Sequence, residues 1–150
     1  MIVLAEGSGR VPAWLVRELL DALSDPAGAI AGSVGLVSAG LPRFDRSAER
    51  DVDAVTGTIA FRRSDYRVRG PFDERFQVAG ELDTWWSLLL RDNDEEPPSR
   101  AVRVGEAAPA GVEATGGEGI TDPPGQRRDR YRILDRFGGR TDLISGGPPG

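Results

Sequence analysis

The placement of Gly and Pro divides this chain more sharply than any other feature. Residues 1–96 hold 13 of the 31 Gly and Pro residues, whereas residues 97–125 hold 11 in 29 positions, well above the usual combined frequency of about 12%. That second segment includes Ala107-Ala108-Pro109-Ala110-Gly111 and Thr115-Gly116-Gly117-Glu118-Gly119, which bury too little apolar area to offset the entropy of ordering. A long, mobile loop is expected there. The folded body is expected in 1–96, ending in the acidic turn Asp92-Asn93-Asp94-Glu95-Glu96. Regular structure should return over 126–143, and residues 144–150 should form a frayed tail. A chain of 150 residues built this way has room for one modest domain.

Composition then removes whole classes of chemistry. There is no Cys and no His, and all 19 basic residues are Arg. That excludes a disulfide framework, a thiolate or imidazole zinc site, a Ser-His-Asp triad, a Lys Schiff base and a phosphate loop that ends in Lys. Catalysis would have to run on carboxylates, hydroxyls, Arg, amides or a carboxylate-held metal. The start Met1-Ile2-Val3-Leu4-Ala5 lacks a basic lead and meets Glu6 too soon for a secretory signal. No apolar run approaches the roughly 20 residues that span a bilayer. A cytoplasmic chain is expected, and its net charge of −5 argues against nucleic-acid binding over the whole surface.

Hydrophobic spacing predicts an α/β fold. Ile2 to Ala5 reads as a short buried strand. Pro12 stands at a helix start, and Leu15, Leu19 and Leu23 with Val16 and Leu20 form a helical stripe ending near Ser24-Asp25-Pro26. The small and β-branched runs Ala29 to Val37 and Val52 to Phe61 predict strands, the second followed by a short helix over 62–66. Glu81 to Asp92 predicts a helix apolar on most sides and largely buried, through Trp85, Trp86, Leu88, Leu89 and Leu90. Residues 126–142 carry six Arg and three Asp. With Ile133, Leu134 and Phe137 as an apolar edge, they predict an amphipathic helix with a solvated Arg-rich face, a face that could also touch an anionic partner or membrane surface.

Residues 52–91 carry a resemblance. Val52-Asp53-Ala54-Val55-Thr56-Gly57-Thr58-Ile59-Ala60-Phe61-Arg62-Arg63 is followed by Gly70-Pro71-Phe72-Asp73-Glu74-Arg75-Phe76. Glu81-Leu82-Asp83 then opens a helix ending in Leu90-Arg91-Asp92. The order resembles the acceptor-side half of a family 2 glycosyltransferase: a strand with a small-residue turn and a basic pair, a G-x-F-D-E-x-F segment, then acids opening a helix that ends in Arg. The segment Arg130 to Phe137 resembles the terminal helix of some bacterial members. The resemblance covers about 1–92 and 126–143.

It implies a partial GT-A-like mixed sheet with flanking helices, truncated to its C-terminal half. The implied reaction transfers a hexose from a nucleotide sugar to a hydroxyl of a polysaccharide or lipid-linked acceptor, and the truncated chain need not be active. The rival expectation is a non-catalytic module that binds a sugar or an anionic partner.

An inverting transfer needs a carboxylate to take the acceptor hydroxyl proton and a cation to offset the departing diphosphate. By resemblance the base is Glu81 or Asp83, with Asp83 favoured. The plain alternative is that both acids cap and charge a helix start. Where the family carries a metal-binding Asp-x-Asp turn, this chain has Ala5-Glu6-Gly7-Ser8, so Glu6 is the one candidate ligand for Mn²⁺ or Mg²⁺.

The resemblance assigns substrate contact to Gly57, Arg62, Arg63, Asp73, Trp85 and Trp86. Against it stand ordinary readings: close backbone approach at Gly57, a surface pair at Arg62 and Arg63, and a turn at Asp73. Adjacent Trp residues cannot point the same way on a helix, so at least one of Trp85 and Trp86 is expected in the core. A sheet that lacks the first strands of its parent fold leaves an open edge, through which the chain is expected to form a homodimer.

Overall fold

The computed structural model describes residues 1–5, 7, 10–93, 99–106 and 123–146. Five segments follow the spacing of the sequence closely: strand β1 (Ile2–Leu4), helix α1 (Ala13–Ser24), strand β2 (Gly28–Gly40), helix α2 (Arg63–Arg69) and helix α3 (Ala79–Arg91). Between β2 and α2 run β3 (Arg43–Ser47), β4 (Asp51–Val52) and β5 (Ala54–Phe61). After α3 come β6 (Arg100–Arg103), α4 (Gln126–Phe137) and a short 3₁₀ turn, Thr141–Leu143. The result is a mixed α/β fold. Its sheet runs β1-β5-β2-β6-β4, with β3 paired to β2 off that path. All pairs are antiparallel except β2 with β6.

Alternation along the strands sends successive residues to opposite faces. Ala60 packs with Leu15, Leu19, Ala22 and Leu23 of α1, while its neighbours Ile59 and Phe61 pack with Trp86, Leu88, Ile133 and Phe137 of α3 and α4. One helix therefore covers one face and the remaining helices cover the other. Leu20, expected in the α1 stripe, is instead 46% exposed, because the stripe turns past it at 100° per residue.

Three expectations are corrected. Arg100–Arg103 lies inside the segment read as loop, yet it forms β6 and buries Ala101 on the α3 side and Val102 on the α1 side. Of its four residues only Val102 favours a strand, and the surrounding Gly and Pro dominate any window that contains them. The single strand expected over 52–61 is broken at Asp53. There the buried carboxylate accepts hydrogen bonds from Ser38 N at 2.7 Å, Ser145 N at 2.9 Å and Ser145 Oγ at 2.6 Å. Those bonds also dock residues 144–146, the start of the expected frayed tail, against β2, where Gly146 N donates to Ser38 O at 3.0 Å. Residues 97–98 and 107–122 of the expected loop and 147–150 of the tail lie outside the described residues.

Arg91 closes the same polar node. Its Nε donates to Ser99 O at 3.0 Å, and its Nη1 donates to Leu143 O at 2.8 Å and to Asp53 O. Burial pulls this guanidinium below its ordinary pKa, against the opposing pull of Asp53 and Asp142. One side chain thus ties the end of α3 to three otherwise separate stretches of backbone.

Candidate functional site

Gly57 sets the geometry from which the site is built. Its φ is +86°, a conformation other residues rarely adopt, and a Cβ there would lie 2.7 Å from Ser33 Oγ. The register between β2 and β5 slips between Gly32 and Val34, and Ser33 Oγ accepts from Thr58 N at 3.0 Å to hold the irregularity. What crowds Gly57 is the Ser33 and Val34 side chains rather than another stretch of backbone. The slip brings Thr56 under the first turns of α3, where its hydroxyl donates to Asp83 Oδ2 at 2.8 Å. Asp83 is half-buried there.

Glu81 lies two residues earlier, on a different side of the helix. Its Oε1 accepts from Gln126 Nε2 at 2.8 Å and from Arg130 Nε at 3.1 Å, so α4 is fastened to α3 through this carboxylate. Glu81, Thr56, Thr84, Gln126 and Arg130 line a small cavity of about 190 Å³ that also touches Phe44 of β3. Neither acid caps the helix. The N-cap position is Val78, which makes no side-chain cap bond. In its place the fully buried Asp129 of α4 accepts from Gln77 N and Val78 N, both at 2.8 Å, and from Arg132 Nη1 at 3.1 Å. This carboxylate holds the chain that leads into α3.

The apolar edge of α4 is therefore Ile133 and Phe137 with Asp129 in line, whereas Leu134, expected on that edge, is exposed. The Arg-rich face is also less open than its composition implies. Arg130, Arg132, Arg136 and Arg140 pair with Glu81, Asp129, Asp92 and Asp142.

The other sequence candidates lie apart from Asp83. Arg62 Nη2 donates to Leu23 O at 2.7 Å and Asp25 O at 2.9 Å, closing the C-terminal end of α1. Arg63 is exposed at the start of α2. Both follow the far end of β5, roughly 17 Å along the strand from Gly57 at about 3.3 Å per residue. Asp73 organises its turn, accepting from Arg75 N at 3.0 Å, Nε at 2.8 Å and Nη2 at 2.6 Å. The Arg75 contact holds the Asp73 carboxyl down at about 2. Trp86 is in the core among Phe61, Tyr66 and Phe72, while Trp85 is half-buried against Phe76 with ring centroids 5.6 Å apart.

Glu6 lies outside the described residues. Among the described residues no group of three or more His, Cys, Asp or Glu side chains could hold a metal ion, so nothing among them supports a Mn²⁺ or Mg²⁺ site. Thr56, Gln126, Arg130 and Asp129 are the site residues that sequence reasoning missed. The available signal was the hydroxyl beside Gly57 and the acid spaced four and eight residues from Ile133 and Phe137. No helix among the described residues is long and apolar enough to cross a membrane. No family model, curated protein or solved structure matches this chain.

Proposed function

We propose that the chain is the acceptor-side part of a GT-A-like, family 2 glycosyltransferase, moving a hexose from a nucleotide sugar to a hydroxyl of a polysaccharide or lipid-linked acceptor. The observation that supports this reading most is the Thr56–Asp83 contact at 2.8 Å, which positions a half-buried carboxylate at the head of α3. An ionised carboxylate offers about four acceptor positions, so a hydrogen bond from Thr56 orients it without using up its capacity to take a proton. Asp83 is the base in this reading. Glu81 is an anchor, because two donors from α4 converge on one of its oxygens. Asp129 acts one step back by holding Gln77 and Val78 at the entry to α3. No step is routed through a metal ion.

Among the described residues β1 pairs with β5 alone, and in this reading its other edge takes the corresponding strand of a second copy. The alternative of a module that binds anionic partners through α4 draws no support from the ion pairs that engage most of its Arg residues.

The test is transfer by the purified chain from UDP-hexoses and GDP-mannose to oligosaccharide acceptors. Asp83→Asn is expected to lower turnover at least about 100-fold, the low end of what general-base removal costs, with an unchanged circular dichroism spectrum. Glu81→Gln, which keeps an acceptor for Gln126 and Arg130, is expected to retain most activity. Equal loss in both variants, or full activity of Asp83→Asn, removes Asp83 as the base. Titration with the nucleotide sugars, in the presence and absence of Mn²⁺, reports separately whether a donor site exists in the chain.

A further inference from the structure

A second cavity, of about 720 Å³, lies on the α1 side of the sheet, lined by Trp14, Leu15, Glu18, Ser33, Val104 and Glu106, with Gly105 between the last two. Of these residues only Ser33 also serves the Asp83 site, by holding the β2–β5 irregularity through Thr58 N, and none of them contacts Asp83 or Glu81 in the hydrogen bonds described. Trp14 is 55% exposed, a large aromatic face left open to water beside buried Leu15 and Val104. Its ring is seated on backbone. A Cβ on Gly105, whose φ is +87°, would lie 3.7 Å from two carbons of the six-membered ring. The Gly105 peptide is pinned from both sides, its N–H donating to Glu18 Oε2 at 2.6 Å and its carbonyl accepting from Arg103 Nη1 at 2.9 Å. The platform and its support are thus organised before any ligand arrives, which removes part of the ordering cost of binding.

The walls name the ligand class. Among the described residues, Glu18 Oε1 and both oxygens of Glu106 have no hydrogen-bond partner, so the rim offers acceptors to a molecule rich in donors. An adjoining hollow of about 480 Å³ shares Glu18 and Gly105 and adds Asp21, Arg50 and Arg103. Those two guanidiniums offset the carboxylates and weaken any preference for a cation, and one indole supplies a single aromatic face rather than the multi-walled cage that binds quaternary ammonium ligands. A flat apolar face beside converging acceptors matches a ring with C–H bonds on one face and hydroxyls around its edge.

We infer that this cavity is a sugar-binding subsite in which a neutral pyranose stacks on Trp14 and donates hydroxyl hydrogen bonds to Glu18 and Glu106. The choice of a sugar among polyhydroxylated ligands rests on the transferase reading, but no residue is shared with its base. In that setting the subsite holds a unit of the carbohydrate chain away from the reacting hydroxyl, a place where a long acceptor gains affinity without touching Asp83.

The test is a two-dimensional ¹H–¹⁵N NMR titration of the folded chain with the methyl glycosides of glucose, mannose, galactose and N-acetylglucosamine. It follows the indole N–H signals, with Trp14 assigned from Trp14→Phe, and the backbone amide of Gly105 beneath the ring, which stays observable in the Trp14 variants. At least one glycoside is expected to shift the Trp14 signal saturably. Trp14→Ala is expected to weaken that glycoside at least about tenfold, in line with truncating an aromatic anchor, and Glu106→Gln is expected to weaken it less. Trp14→Phe keeps a smaller ring and is expected to fall between, so it supplies the comparison if Trp14→Ala does not fold.

Asp83→Asn is expected to bind the glycoside as the parent does even where transfer is lost, which separates this inference from the assignment of the base. The inference is overturned if no glycoside shifts the Trp14 signal, if affinity survives in both Trp14 variants, or if Asp83→Asn abolishes binding. Tighter binding of tetramethylammonium than of any glycoside overturns it as well, by making the cavity a cation site.

Discussion

The two ends of α3 carry the same kinds of polar group and use them in opposite ways. At the C-terminal end, Arg91 is buried and its donors meet the carbonyls of Asp53, Ser99 and Leu143, while the Asp53 carboxylate is filled by Ser38 and Ser145. Those contacts close largely on backbone and draw together Ser38, Asp53, Ser99 and the stretch from Leu143 to Ser145. At the N-terminal end, Asp83 is half-buried and held by the hydroxyl of Thr56. In the proposed reading a half-buried carboxylate oriented by another side chain serves proton transfer, whereas a buried guanidinium that donates to three main-chain carbonyls holds structure. Burial and the identity of the partner, not residue type, separate the two roles.

The comparison breaks most visibly at Arg91. Arg91→Met removes the donor for three carbonyls in the interior and is expected to cost about 3–5 kcal/mol, the range for breaking a buried charged network, read as a lower urea midpoint with an unchanged slope. Next is Asp129→Ala, expected to cost about 2 kcal/mol because two charge-assisted backbone bonds are lost. The same variant should lower transfer activity, since the entry to α3 is no longer held. Gly57→Ala is expected to cost about 1–2 kcal/mol through its positive φ, and thermal unfolding would show it. Asp83→Asn is the sharpest contrast, with an expected change within about 0.5 kcal/mol. A loss there as large as that for Arg91→Met would erase the distinction between the two ends.

The smallest expected effect concerns acid. The Asp73 carboxyl sits at about 2 against an ordinary 3.8, so it is ionised in the folded state where the unfolded chain would bind a proton. Its contribution is complete above pH 3.8 and is lost as pH falls toward 2. Asp73→Asn is expected to flatten stability across that window alone, measured as urea midpoints at successive pH values.

Local patterns made much of the fold legible. The helical stripe of Leu15, Leu19 and Leu23 and the apolar helix through Trp86 and Leu88 to Leu90 are fixed by spacing that folding does not alter, and both emerged within a residue or two of their expected limits. What escaped was decided over distance. Thr56 and Asp83 are 27 residues apart, and Gln126 meets Glu81 across 45. No window of sequence holds both members of either pair. Asp53 looked like one polar residue in a strand, and only its partners at Ser38 and Ser145 explain why the strand breaks there. Asp129 was read as surface charge because an acid in an Arg-rich helix ordinarily faces water, and the two backbone N–H groups that bury it belong to another part of the chain. Trp14 has no distinguishing signal in the sequence, since nothing near it announces the Gly105 peptide beneath its ring.

The pairing of Gly28 with Arg100 at the start of the β2–β6 ladder also sets an order of assembly. During synthesis β1, β2 and β5 can pair as soon as residue 61 has emerged. The flank of residues 28–32 must then wait for residues 100–103 before its main-chain groups find partners. Loop closure over so many residues is slow, and an unpaired flank on a nascent chain is adhesive. The interval between those two events is when this protein is most exposed to misassembly, and a pause in translation just beyond β5 would lengthen it.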